Sequence, residues 1–130
     1  MGRVWICAVL VAMASCRRAT SADGISITSD ITPKPVLVGT ATVHVKVMDG
    51  LHPVSNALVE LEGDMSHPGM APAFGNAKAL GSGEYEGLLN LNMPGDWVVM
   101  IHVKLLDGRK LEREVPLHGV EESQKSHAIP

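Results

Sequence analysis

The sequence predicts an all-β fold, a single immunoglobulin-like two-sheet β-sandwich of about seven strands preceded by a signal segment, and three observations carry that prediction. Apolar residues recur at every second position through most of residues 25–119, and no stretch has the period of a helix. Turn chemistry (Asp49-Gly50, Gly81-Ser82-Gly83, Pro94-Gly95, Asp107-Gly108) punctuates these runs at regular intervals. The apolar content is 45% although Phe74, Tyr85, Trp5 and Trp97 are the only aromatic residues of the Phe, Trp and Tyr type. The core must therefore be built from Val, Leu, Ile and Ala, an aliphatic set that favours strands when it alternates with polar residues.

At 130 residues the chain has room for one domain. Residues 1–15 read as a signal peptide: Met1-Gly2-Arg3 is a short basic start, Val4 to Met13 an apolar run of signal length, and Ala14-Ser15 a small pair before Cys16. The run is too short for a transmembrane helix. Met13-Ala14-Ser15-Cys16 resembles a bacterial lipobox with Met in the usual place of Leu. It implies lipidation at Cys16 and an exported protein held on the membrane of the cell envelope or periplasm as a lipoprotein. Cleavage after Thr20-Ser21-Ala22 would instead release a soluble form. Residues 16–24 lack apolar periodicity and read as a tether, with Arg17-Arg18 able to meet lipid headgroups.

The strands follow in order. Ile25-Ser26-Ile27-Thr28 alternates, and Pro33 and Pro35 mark a bend or an edge. Between Thr40 and Met48, Val43, Val45 and Val47 take the core face, with Thr42, His44, Lys46 and Met48 opposite. Beyond the turn at 49–53, Ala57, Val59 and Leu61 face inward and Glu60 and Glu62 outward. Residues 73–80 are Ala-rich and give a short strand. Tyr85, Gly87, Leu89 and Leu91 then alternate with Glu86, Leu88 and Asn90. Trp97, Val99, Ile101, Val103 and Leu105 make the central strand, and Leu111, Val115 and Leu117 pair back after Asp107-Gly108. Residues 120–130 are polar and read as a disordered tail, which leaves the sandwich domain at 25–119.

Composition excludes several functions. The formal charge of -3 becomes -4 without residues 1–15, whose one charged side chain is Arg3, and no basic patch stands out, so nucleic acid is not an expected partner. Ser66-His67 are neighbours, but no nucleophile elbow and no carboxylate orienter accompany them, so the chain reads as no enzyme. Glu60, Glu62, Glu84, Glu86, Glu112 and Glu114 fall on alternating outward positions and read as a solvated face. His44 and His102 read as ordinary surface residues, His52 as a turn residue, and His118 and His127 as flanks of the tail.

The chemistry concentrates in Gly63-Asp64-Met65-Ser66-His67-Pro68-Gly69-Met70-Ala71-Pro72, which sets two thioethers and an imidazole within six residues. Soft thioethers with a borderline imidazole suit Cu(I) better than calcium, magnesium or structural zinc. The two cysteines, Cys7 and Cys16, lie in or at the end of the signal, so the mature domain has neither a disulfide nor a thiolate to offer a metal. Met93 opens a later turn and is a fourth candidate if that turn lies at the same end of the sandwich. The candidate metal ligands are thus Met65, His67, Met70 and Met93. Against this stands the reading of Met as a gap-filler, with the loop folded over the end of the sandwich.

Three motifs in order, Gly63 to Pro72, Gly83-Glu84-Tyr85 and Met93-Pro94-Gly95-Asp96-Trp97, together resemble the YtkA-like and FixH-like family over roughly residues 38–118. That resemblance implies a small exported or membrane-anchored β-sandwich similar to periplasmic copper-handling domains, FixH-like members being linked to cytochrome oxidase assembly. It carries the family's Met-x-His-x-x-Met donors onto Met65, His67 and Met70, and its Met-Pro-Gly-x-Trp element onto Met93 and Trp97. The chain lacks the transmembrane helix of FixH, so the role implied is a tethered copper-binding or copper-transfer module with a protein partner in transfer. The rival expectation is a non-metal immunoglobulin-like accessory or spacer domain, for which the Met loop is a protein contact.

Overall fold

The computed structural model describes residues 24–122, so the signal segment, Cys16, most of the tether and the end of the tail lie outside the described residues. Eight strands and no helix are found among them: β1 (Ile25–Thr32), β2 (Gly39–Asp49), β3 (His52–Pro53), β4 (Leu58–Met65), β5 (Ala73–Gly81), β6 (Glu84–Leu91), β7 (Gly95–Lys104) and β8 (Lys110–Val120). Each inward phase expected from alternation is the buried one. Val43, Val45 and Val47 on β2, Val59 and Leu61 on β4, Tyr85, Leu89 and Leu91 on β6, and Trp97, Val99, Ile101 and Val103 on β7, with Leu105 just after it, are buried.

The strands run β1-β2-β6-β5-β4-β7-β8, with the two-residue β3 beside β2. Leaving β3 aside, this is the immunoglobulin constant-type order, four strands in one layer (β1, β2, β6, β5) and three in the other (β4, β7, β8). The layers are not separate sheets, however. β5 pairs with β4 through residues 73–77 and with β6 through residues 77–81, so Ala77 belongs to both ladders and the sheet turns a corner there. On the far side, the Val38 amide donates to the Glu121 carbonyl at 2.8 Å and the Glu121 amide to the Val36 carbonyl at 3.2 Å. This parallel contact all but closes the sheet into a barrel and covers two edges that would otherwise be open. It also extends the fold past residue 119: Val120 is buried at the end of β8, and Glu121 makes the closing bonds.

Tyr85 ties the core to the connection after β3. Its hydroxyl donates to the Val54 carbonyl at 2.6 Å and accepts from the Ala57 amide at 3.0 Å, which satisfies a buried phenol and pins residues 54–57 over the barrel.

Candidate functional site

β4 ends at Met65, whose register partner on β7 is Trp97. The loop that follows is fastened at its first residue: the Ser66 amide and hydroxyl both donate to the Asp96 carbonyl, at 3.2 and 3.3 Å. The turn carrying Met93 is fastened by the same element, since the Trp97 indole N–H donates to the Met93 carbonyl at 3.0 Å. Gly95, between them, has φ +125°, a conformation that L side chains rarely adopt. A Cβ built there would lie 3.4 Å from the Met65 methyl, so the Met65 side chain runs over the turn that Met93 opens. The loop from Met65 to Met70 and the turn at Met93 therefore share one end of the barrel.

At that end the donors are not equivalent. Met70 and Met93 are 37% and 41% exposed, and His67 is exposed, whereas Met65 is half-buried and packs against the core. No group of three or more His, Cys, Asp or Glu side chains is arranged to hold a metal ion among the described residues. A cation held at this end would thus depend on thioether sulfur, the condition that selects a soft ion. One further donor arrives, a histidine expected only to flank the tail. His118 Nδ1 lies 3.8 Å from Asp96 Oδ1, and the Gly119 amide donates to the same carboxylate oxygen at 2.8 Å. The register of the β7–β8 hairpin, Trp97 opposite Leu117, is what brings His118 beside Asp96, and counting along the hairpin from the Asp107-Gly108 turn would have located it. The other soft side chains lie away from this end: His52 is on β3, His44 sits 3.6 Å from Glu86 across β2 and β6, and Met100 is half-buried on β7.

The profile of the YtkA-like family matches residues 23–102, more than half of the chain, and spans both the Met65–Met70 loop and the Met93–Trp97 turn. The chain belongs to the YtkA-like family. Neither the curated proteins nor the solved structures gave a significant match.

A second feature of this YtkA-like domain was not anticipated. His102 is no ordinary surface residue: its Nε2 is 3.0 Å from Glu62 Oε2 and its Nδ1 3.1 Å from Glu112 Oε1, so one imidazole links β4, β7 and β8. Alternation placed these three side chains outward but could not pair them, because Glu62 reaches His102 along the diagonal of the ladder. The ring lines a groove of about 570 Å³ together with Leu58, Phe74, Lys104 and Lys110.

Partial burial of His102 opposes its protonation, but the hydrogen bonds that the ring donates to the Glu62 and Glu112 carboxylates, with their charge, together outweigh burial and raise its pKa above the ordinary 6.5. A raised folded-state value means that the imidazolium contributes stability fully below 6.5, and that this contribution is lost as the pH rises through the folded value. Urea midpoints measured from pH 6 upward should therefore fall more steeply in the wild type than in His102→Gln. Parallel pH profiles would show that the two carboxylates do not hold a charged ring.

Proposed function

We propose that this YtkA-like chain is an exported, lipid-anchored module that binds copper as Cu(I) through Met65, His67 and Met70, with Met93, and passes it to a protein partner. The observation that carries the reading is the shared end. Two segments separated by two strands, β5 and β6, are fastened to each other through Ser66–Asp96 and Trp97–Met93, with the Met65 methyl lying over Gly95. Thioether and imidazole are neutral ligands, and an exposed site built from them can exchange a soft ion without breaking a thiolate bond. His118 at the same end is available as a further borderline donor.

Anaerobic titration with Cu(I) tests the proposal. The wild type should bind about one equivalent, and a Met65→Leu, Met70→Leu double variant, which keeps side-chain volume and removes both sulfurs, should lose at least about tenfold in affinity, or ~1.4 kcal/mol. Equal binding by the two removes these residues from the site.

A second reading is favoured by the outer groove. Phe74 is 71% exposed and Leu58 54%, both lining it, apolar residues beside charged ones of the kind that marks protein contacts. On that reading the domain is a non-catalytic interaction or spacer module, and the wild type would take up no Cu(I) in the same titration.

A further inference from the structure

The end of the barrel opposite the Met loop carries two leucines that the fold does not use. Leu51 stands at the tip of the β2–β3 turn, 93% exposed, and Leu106 in the β7–β8 turn, 82% exposed. Neither turn needs an apolar residue. Asp49 and His52 pair across Gly50-Leu51, and the β7–β8 turn is closed by the Gly108 amide donating to the Leu105 carbonyl at 3.0 Å and the Leu105 amide donating to the Arg109 carbonyl at 2.9 Å. Tips of this kind usually carry polar residues, and each of these two instead presents its largest apolar side chain to water.

The two tips share a neighbour. Ile25, Asp49, His52, Leu105 and Leu106 border one shallow depression, and the Gly50 amide donates to the Gly24 carbonyl at 3.1 Å. The chain therefore enters the barrel from its N-terminal segment directly beside Leu51. Gly24 is the eighth residue after Cys16, a chain length that can span at most about 27 Å.

The geometry points to this end as a membrane-docking face, with Leu51 and Leu106 entering the interfacial region of the bilayer to which Cys16 anchors the chain; this rests on the anchoring proposed above. Two leucines alone partition weakly, but the tether keeps them near the surface at an effective concentration on the order of millimolar, so weak insertion is enough to fix orientation. Arg109, bordering the same depression, pairs with the nearby Asp107 at 2.8 Å, which leaves the leucines as the part of this end that favours lipid. β7 runs from this end to Gly95, ten residues, which sets the Met65–Met93 end roughly 25–30 Å farther from the lipid and presents it to soluble partners.

The test uses the full acylated chain in vesicles of phosphatidylethanolamine and phosphatidylglycerol, with a nitroxide attached at Leu51→Cys, Leu106→Cys or, at the distal end, Asn92→Cys. Labels at 51 and 106 should be several-fold more accessible to oxygen than to a water-soluble nickel chelate, relative to the label at 92. Three labels with the same aqueous ratio on a chain that floats with the vesicles overturn the docking face and leave the anchor standing. A chain that does not float overturns both.

Discussion

Replacing Trp97 by Ala should lower folding stability by about 3–5 kcal/mol, the range for deleting a large core aromatic. The indole is 2% exposed, and its Cε3 lies 3.5 Å from where a Cβ on Gly63 would sit, with Leu89 and Leu91 methyls 3.7 Å from the same point. The ring thus packs over β4 at Gly63, together with Leu89 and Leu91 of β6. With total stabilities of about 5–15 kcal/mol usual for a domain, the loss removes about a fifth of the margin or more. The variant also loses the indole bond to Met93, so the Met93 turn should loosen before the barrel melts. Trp97→Phe separates the two effects. It retains much of the packing and deletes the N–H, so its urea midpoint should lie between those of wild type and Trp97→Ala. A wild-type midpoint for Trp97→Ala would mean that the ring is not core.

The alternation that identified Trp97 as core was legible because a period of two is a local property of the sequence, and it was correct on every major strand. Local too was the coincidence of Met65, His67 and Met70. What the sequence could not deliver was lateral pairing. His102 looked ordinary because its partners, Glu62 and Glu112, are 40 and 10 residues away and meet it only once β4, β7 and β8 are in register. His118 looked like a mere flank of the tail for the same reason, although a hairpin count from Asp107-Gly108 would have set it opposite the Met93 turn. Closure of the barrel through Val36, Val38 and Glu121 uses backbone groups alone and leaves no side-chain signature. The expectation of two distinct sheets missed the corner because β5 is written in Ala, Gly and Asn, residues whose presence in a strand reflects close backbone approach more than propensity.

That corner yields the second large effect. Gly75→Ala should cost about 1–3 kcal/mol, the usual range for overpacking, and should fall at its upper end. A Cβ at this position would lie 2.2 Å from the Leu88 carbonyl oxygen, and that oxygen belongs to the backbone of β6, which cannot rotate aside as a side chain can. Gly87 answers from the other strand, where a Cβ would come within 2.9 Å of the Asn76 carbonyl oxygen. Both glycines are therefore held by the approach of β5 to β6 just where β5 hands over from one layer to the other at Ala77. Relieving the clash means moving β5 away from β6, and the same displacement strains its ladder to β4, so the penalty is shared by both layers. Asn76→Ala, an exposed neighbour on the same strand, is the matched control and should stay within about 0.5 kcal/mol of wild type. Chemical denaturation of the pair decides the matter: if Gly75→Ala unfolds at the same urea concentration as Asn76→Ala, the two layers are not joined by a tight corner at β5, and the near-barrel reverts to two facing sheets.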